Sequence, residues 1–323
     1  MLIDIILFIF GFICLIKGAD FLVEGASSIA KKYNISNLVI GLTIVAFGTS
    51  MPELIVSAFA SVEGSVGVAM GNIIGSNISN TLLILGVSAI IYPLLVKRST
   101  VNKEIPLSLL AVVAVWLMVN DKIIDGNVVN ALSRIDGLIL ILFFVIFVYY
   151  TFSIKKNQSG ILEKIGDEKI KQYKFLTAAG LVFIGLVGLF VGGKWIVDGA
   201  ILFAKYFGVS ETLIGLTIVA IGTSLPELAA SGMAAYKKKT DIAVGAVVGS
   251  NIFNLFWVLG ISAIIRPMPF DASLNYDFLF LFVITILALF LIFIGKKNVI
   301  GRKEGWILVS LYIIYIIFLI FRG

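Results

Sequence analysis

Two glutamates occupy matched places in apolar surroundings: Gly41-Leu-Thr-Ile-Val-Ala-Phe-Gly-Thr-Ser-Met-Pro-Glu53-Leu54 and Gly215-Leu-Thr-Ile-Val-Ala-Ile-Gly-Thr-Ser-Leu-Pro-Glu227-Leu228. A carboxylate at membrane depth is costly and marks an ion or proton site. Proline donates no backbone hydrogen bond and crowds the carbonyl four residues back, so Pro52 frees the Gly48 carbonyl and Pro226 frees that of Gly222. Freed carbonyls, hydroxyls and a carboxylate are hard oxygen donors of the kind that suit Na⁺ and Ca²⁺. Ser50, Glu53 and Ser57 share one helical face, as do Ser224, Glu227 and Ser231. On the following segments Ser76 and Asn80 are four apart, as are Ser250 and Asn254, so each pair presents a hydroxyl and an amide together.

The elements that position these groups come in two copies. The motif glycines are offset by 222 − 48 = 174 residues, and the same offset aligns Gly75-Ser-Asn-Ile-Ser-Asn80 with Gly249-Ser-Asn-Ile-Phe-Asn254 and Ser88-Ala-Ile-Ile91 with Ser262-Ala-Ile-Ile265. Chance likeness between apolar segments does not hold Gly, Thr, Ser, Pro, Glu and Asn in register over such a length. Gly71 with Gly75, and Gly245 with Gly249, form Gly-x-x-x-Gly patterns that suit close helix packing.

With 323 residues, 60% apolar, 14% charged and no histidine, the chain has too little polar surface for a soluble fold. Ten apolar runs read as helices near 3–26, 38–61, 66–92, 104–120, 134–153, 174–203, 212–236, 242–265, 276–295 and 304–321. The first carries Asp4, no basic cluster and no small-residue cleavage site, and is expected to be a retained span. Each motif glutamate lies about 12 Å of helix from the nearer predicted span end, too far for a short side chain to reach water easily. Lys and Arg number 18 in or beside the loops after odd-numbered helices and 6 in the other set, which predicts an N-terminus outside the cell membrane. Their spread over short loops argues against nucleic acid as a partner. Five helices per copy is an odd number, so the copies are expected to enter the membrane in opposite senses. The expected fold is therefore all-α: ten transmembrane helices as two inverted five-helix repeats, 1–153 and 174–323, joined by a charged cytoplasmic linker over 154–173.

Gly48-Thr-Ser-Met-Pro-Glu53 with Gly75-Ser-Asn-Ile-Ser-Asn80, and their second copies, resemble the α-repeats of the calcium/cation antiporter superfamily, in particular its prokaryotic sodium/calcium exchanger branch. The resemblance covers nearly the whole chain. It implies alternating access of one Ca²⁺ site and neighbouring Na⁺ sites, with Glu53 and Glu227 as shared ligands and the Thr49 and Thr223 carbonyls completing the Ca²⁺ site. Ser50 and Ser76 with the Ala46 carbonyl would serve an inner Na⁺ site, Ser224 and Ser250 with the Ala220 carbonyl an outer one, and Asn80 the centre. Some members carry Asp at the position of Asn254. Asparagine there leaves two central carboxylates and resembles the potassium-independent exchangers.

Two glutamates supply a charge of −2, which balances one Ca²⁺ or two Na⁺ where uncompensated charge is expensive. The expected activity is Na⁺-driven Ca²⁺ export by an antiporter that is not an enzyme and uses no organic cofactor. Its expected partners are Ca²⁺, Na⁺ and the lipid bilayer, and it is expected to act as a monomer. A proton/cation exchanger is the main rival, because a buried glutamate can also carry H⁺. An intramembrane hydrolase is disfavoured: Ser50 or Ser224 would need a base, and the chain has no histidine.

Overall fold

The computed structural model describes residues 2–64, 66–124, 126, 129–153, 171–206, 220–294 and 297–322. Its architecture is a bundle of long helices. We number them α1 (Leu2–Lys32), α2 (Asn37–Thr49), α3 (Met51–Glu63), α4 (Gly67–Ile91), α5 (Thr100–Val119), α6 (Arg134–Ser153), α7 (Phe175–Tyr206), α8 (Ala220–Thr223), α9 (Leu225–Tyr236), α10 (Thr240–Ile265), α11 (Asn275–Ile294) and α12 (Arg302–Arg322). Among the described residues eight helices are long and apolar enough to cross a membrane, and α2 with α3, bent by 44° at their junction, makes a ninth. The chain is thus a multi-pass membrane protein. Of the seventh span expected at 212–236, residues 212–219 lie outside the described residues, as do 154–170 of the expected linker.

Burial separates the helices into two classes. The most apolar stretch of α10 is 94% buried and that of α4 78%, whereas the corresponding stretches of α1, α6, α7 and α12 are 22% buried. The central pair is therefore mostly enclosed by protein, and the peripheral helices turn apolar side chains such as Ile6, Ile13, Leu142 and Ile314 outward. In a bilayer that outward surface is solvated by hydrocarbon rather than hidden from water.

Small residues set the closest approaches. A Cβ at Gly18 would lie 2.8 Å from the Gly185 carbonyl oxygen, and one at Gly185 would lie 2.8 Å from that of Gly18. Gly11 meets Gly192 and Gly25 meets Ala178 in the same way, so α1 and α7 run antiparallel with backbone against backbone. The Gly-x-x-x-Gly pattern packs as expected on α10, where Gly245 and Gly249 lie against Gly41, Leu42 and Ala46. On α4 it does not. A Cβ at Gly71 or Gly75 meets no atom of the described residues within 4 Å.

Corresponding contacts recur in the two halves. Gly86 of α4 abuts Gly305 of α12, and Gly260 of α10 abuts Gly137 of α6. Two short strand pairs cross between halves: β1 (Leu94–Leu95) is antiparallel to β4 (Val299–Ile300), and β2 (Ala131–Leu132) to β3 (Met268–Pro269). In each half a buried carboxylate near the start of one helix accepts a bond from a tyrosine hydroxyl near the end of the next. Tyr150 donates to Glu104 and Tyr315 to Asp277, both at 3.0 Å. Asp277 also holds Arg322 at 2.8 Å.

The structure lengthens two expected helices. The first runs past Ala26 to Lys32, and within the added turns Ser28 is buried and accepts the backbone N–H of Tyr173 at 2.9 Å. It stops where Asn34 takes a left-handed φ of 53°. The fourth begins at Thr100 rather than 104, through a π-helical turn over Thr100–Glu104.

Replacing Gly185 by Ala forces the seam between α1 and α7 to open and is expected to destabilise the protein by roughly 1–3 kcal/mol. Thermal unfolding of the purified variant in detergent checks this; an unchanged midpoint contradicts the contact.

Candidate functional site

The site begins with two broken helices. Ser36 caps the start of α2, its Oγ accepting from the Val39 N–H at 3.3 Å. The helix ends at Thr49, Ser50 takes φ −84° and ψ 7°, and α3 restarts at Met51 with Pro52 in its first turn. Proline is tolerated there because a first-turn N–H has no helical partner to lose. The second half matches it: α8 ends at Thr223, Ser224 takes φ −88° and ψ 3°, and α9 restarts at Leu225 with Pro226. Glu53 and Glu227 each fall in the first turn of the restarted helix, where unpaired N–H groups favour negative charge.

The expected face of Ser50, Glu53 and Ser57 is present, but Ser50 serves the other half. Its hydroxyl donates to Glu227 Oε1 at 3.2 Å, while Ser76 of α4 donates to Glu53 Oε1 at 3.4 Å. Both carboxylates are buried, at 1% and 2% exposure. Each keeps one oxygen, Oε2, with no hydrogen-bond partner. Ser224 Oγ, Ser250 Oγ, Asn254 Oδ1 and both polar side-chain atoms of Asn80 are likewise buried without one. A buried polar atom normally finds a partner, so this concentration is a feature requiring an explanation. All but one of these atoms are oxygens able to accept a hard cation. Among the described residues no three His, Cys, Asp or Glu side chains come together, so carboxylate charge at the site comes from the two glutamates.

The remaining expected residues fall close by in the fold. Thr49 donates its hydroxyl to the Val45 carbonyl at 3.0 Å and more weakly to that of Ala46 at 3.4 Å, and the Ser50 N–H donates to the same Ala46 carbonyl at 3.0 Å. A cation taking the Ala46 oxygen would displace the longer of these bonds. Ala220 opens α8, and nothing of its side chain is described. Asn80 opens a π-helical turn over Asn80–Ile84, and Asn254 is the second residue of another over Phe253–Val258. Such turns rotate side chains out of regular register and recur at functional sites.

Three asparagines without an assigned role complete the arrangement. Asn254 donates its amide to Asn77 Oδ1 at 3.1 Å, Asn77 donates to the Asn251 carbonyl at 3.3 Å, and Asn251 donates to Thr81 Oγ1 at 3.0 Å. This ladder ties α4 to α10 across the centre. Asn77 and Asn251 sit inside the repeated motif and were legible as a pair. Asn72 was not. Its amide donates to Ser57 Oγ at 3.2 Å and its oxygen accepts from Thr223 at 3.5 Å, joining the two broken helices, but its counterpart at position 246 is alanine.

A family model described as sodium/calcium exchanger protein matches residues 3–153 and 177–321. The chain belongs to this family. As a family member it is similar along its length to the sodium/calcium exchanger MaX1 of Methanosarcina acetivorans, with 30% identity over 99% of each chain. The Ca²⁺/H⁺ antiporter ChaA of Bacillus subtilis is 27% identical over 85% of this chain and 81% of its own. Among solved structures, the sodium-calcium exchanger NCX_Mj soaked with 2.5 mM Na⁺ and 0.1 mM Ca²⁺ superposes with a TM-score of 0.81, at 34% identity over 98% of each chain. Antiport of Ca²⁺ against another cation is the activity these relatives share by name.

Substituting Asn77 by Ala removes two rungs of the ladder and is expected to cost about 1 kcal/mol, the scale of an interhelical hydrogen bond in a membrane. A drop in the unfolding midpoint that Asn254→Ala does not deepen further is the expected result of a double-mutant cycle; fully additive losses contradict the pairing.

Proposed function

We propose that the protein is a secondary antiporter exchanging Na⁺ for Ca²⁺ across the cell membrane by alternating access, in the direction of Ca²⁺ export. The observation that carries this reading is the matched pair of buried glutamates, each with one unpartnered carboxylate oxygen amid hydroxyl and amide oxygens. One Ca²⁺ or two Na⁺ balance their charge, so the ions compete for the same oxygens, and competition for one site couples the two fluxes. Glu53 and Glu227 are the shared ligands, with the backbone of Thr49 and Thr223 completing the Ca²⁺ site. Ser50, Ser76 and the Ala46 carbonyl serve one Na⁺ site; Ser224, Ser250 and the Ala220 carbonyl serve its counterpart. Asn80 and Asn254 line the centre.

The architecture that suits this cycle is ten spans in two inverted repeats, 1–153 and 174–323, with a cytoplasmic linker over 154–173 and the N-terminus outside. The antiparallel course of α1 and α7, the first helix of each half, supports it. Likeness to ChaA supports a second reading, Ca²⁺/H⁺ exchange, in which the glutamates carry protons.

Radiolabelled Ca²⁺ uptake into proteoliposomes under separate Na⁺ and H⁺ gradients distinguishes the two. An outward Na⁺ gradient is expected to drive uptake, with or without K⁺, and a H⁺ gradient alone is not; the reverse selects the proton reading. Glu53→Gln and Glu227→Gln each leave a bound cation unbalanced by roughly 3 kcal/mol and are expected to slow uptake about a hundredfold. Near-normal flux through either folded variant removes the assignment. For orientation, single cysteines in a Cys14→Ser background are treated in intact cells with a membrane-impermeant thiol reagent. Glu63→Cys is expected to react and Gly160→Cys to be protected; the opposite pattern reverses the topology.

A further inference from the structure

A crevice of about 370 Å³ lies between α5 and α6. Leu107, Leu110, Phe143, Ile146 and Phe256 line it, with Lys103 at one end. Leu110 and Ile146 are each about three-fifths exposed although both belong to membrane-spanning helices, so the crevice opens sideways to hydrocarbon. Its floor is the ring contact of Phe143 with Phe256, 5.6 Å between centroids.

The corresponding place in the second half carries different side chains. The carboxylate–tyrosine pairs fix the correspondence: Glu104 with Tyr150 in one half, Asp277 with Tyr315 in the other. Three residues after Asp277 stands Phe280, whose ring stacks on Tyr315 with centroids 4.8 Å apart and planes within 6°. Three residues after Glu104 stands Leu107, which has no ring to stack on Tyr150; Lys103 Nζ lies over that ring instead, 5.5 Å from its centroid. The residue before Asp277 is Tyr276; the residue before Glu104 is the exposed cation Lys103. A phenylalanine ring thus stands in the second half where the first has Leu107, which lines an apolar groove ending in positive charge.

We propose that this groove is a binding site for an anionic phospholipid, with one acyl chain between α5 and α6 and the phosphate held by Lys103, helped by Arg98, exposed five residues earlier in the chain. Of the neighbouring charges, Lys97 is neutralised by Asp241 at 2.7 Å, and Glu104 is buried and engaged by Tyr150. Lys103 and Arg98 therefore set the sign of the headgroup. The acyl chain fits the walls because a groove of this size in hydrocarbon, left unfilled, forfeits the contacts of every side chain around it. Its occupancy bears on transport through Phe256, which belongs to the π-helical turn Phe253–Val258 that presents Asn254. A lipid chain against Phe256 braces that turn from behind.

Protein reconstituted in equal amounts of phosphatidylglycerol and phosphatidylcholine, then extracted gently, is examined by native mass spectrometry. One retained phosphatidylglycerol per chain is expected. Lys103→Gln is expected to weaken retention roughly fivefold, the effect of one cation at an anionic surface. Leu107→Phe, which copies the ring of the second half, is expected to abolish it; if that variant does not fold, Leu110→Trp blocks the mouth instead. Hydrogen exchange across 253–258 is expected to slow in phosphatidylglycerol relative to phosphatidylcholine for the wild type alone. Equal retention of the two lipids, a free fatty acid in place of phospholipid, or undiminished retention in a folded groove-filling variant overturns the site.

Discussion

Two carboxyl groups buried in a membrane-embedded interior are the constraint from which the rest of the structure follows. Ionised and isolated, each would cost many kcal/mol of lost hydration, and the described chain offers neither a basic partner. What it offers instead is partial and shared. Each glutamate stands in the first turn of a restarted helix, so unpaired N–H groups and the helix dipole face it. Each also accepts one serine hydroxyl, at 3.2 or 3.4 Å. That support is enough to hold the side chains in place and leaves one oxygen of each uncommitted. A lysine at the same spot would have settled the electrostatics permanently and removed any need for a mobile cation.

The parts around this centre are fastened by different means. The ladder of Asn77, Asn251 and Asn254 joins α4 to α10 through directional amide bonds, in a region where little is exposed. The seam between α1 and α7 has no such rungs at its closest approaches; glycine backbones touch there at Gly11, Gly18, Gly185 and Gly192. Directional bonds fix one register, whereas a smooth glycine seam has few side-chain ridges to interlock and so resists sliding less. The chain thus places its specific bonds centrally and its featureless contact between the first helices of the two halves.

Much of this was legible in the sequence, for physical reasons. Proline inside an apolar run disfavours a continuous helix, so the interruptions at Ser50 and Ser224 could be read from Pro52 and Pro226. The repeat exposed Ser76, Asn80, Ser250 and Asn254 because evolution by duplication copies chemistry along with hydrophobicity. Partnerships were less visible. That Ser50 reaches Glu227 rather than its own Glu53 depends on how the halves meet, which no one-dimensional spacing records. Asn72 escaped because its counterpart is Ala246, and a search guided by symmetry is blind to whatever symmetry lacks. The end of α1 lies six residues beyond the expected one, in a polar stretch where Ser28 is covered by the backbone of Tyr173. The α4 glycines show the converse error: a Gly-x-x-x-Gly spacing permits a close contact without supplying one.

The strand pairs carry a consequence for biogenesis. Leu94 finds its ladder partner in Ile300, 300 − 94 = 206 residues later in the chain, and Leu95 in Val299. At roughly 5–20 residues per second of synthesis, that is about 10 to 40 s during which the first half must remain in the bilayer with an unpaired strand. Ala131 and Leu132 likewise wait for Met268 and Pro269. The first half is therefore made well before its strand pairs can close.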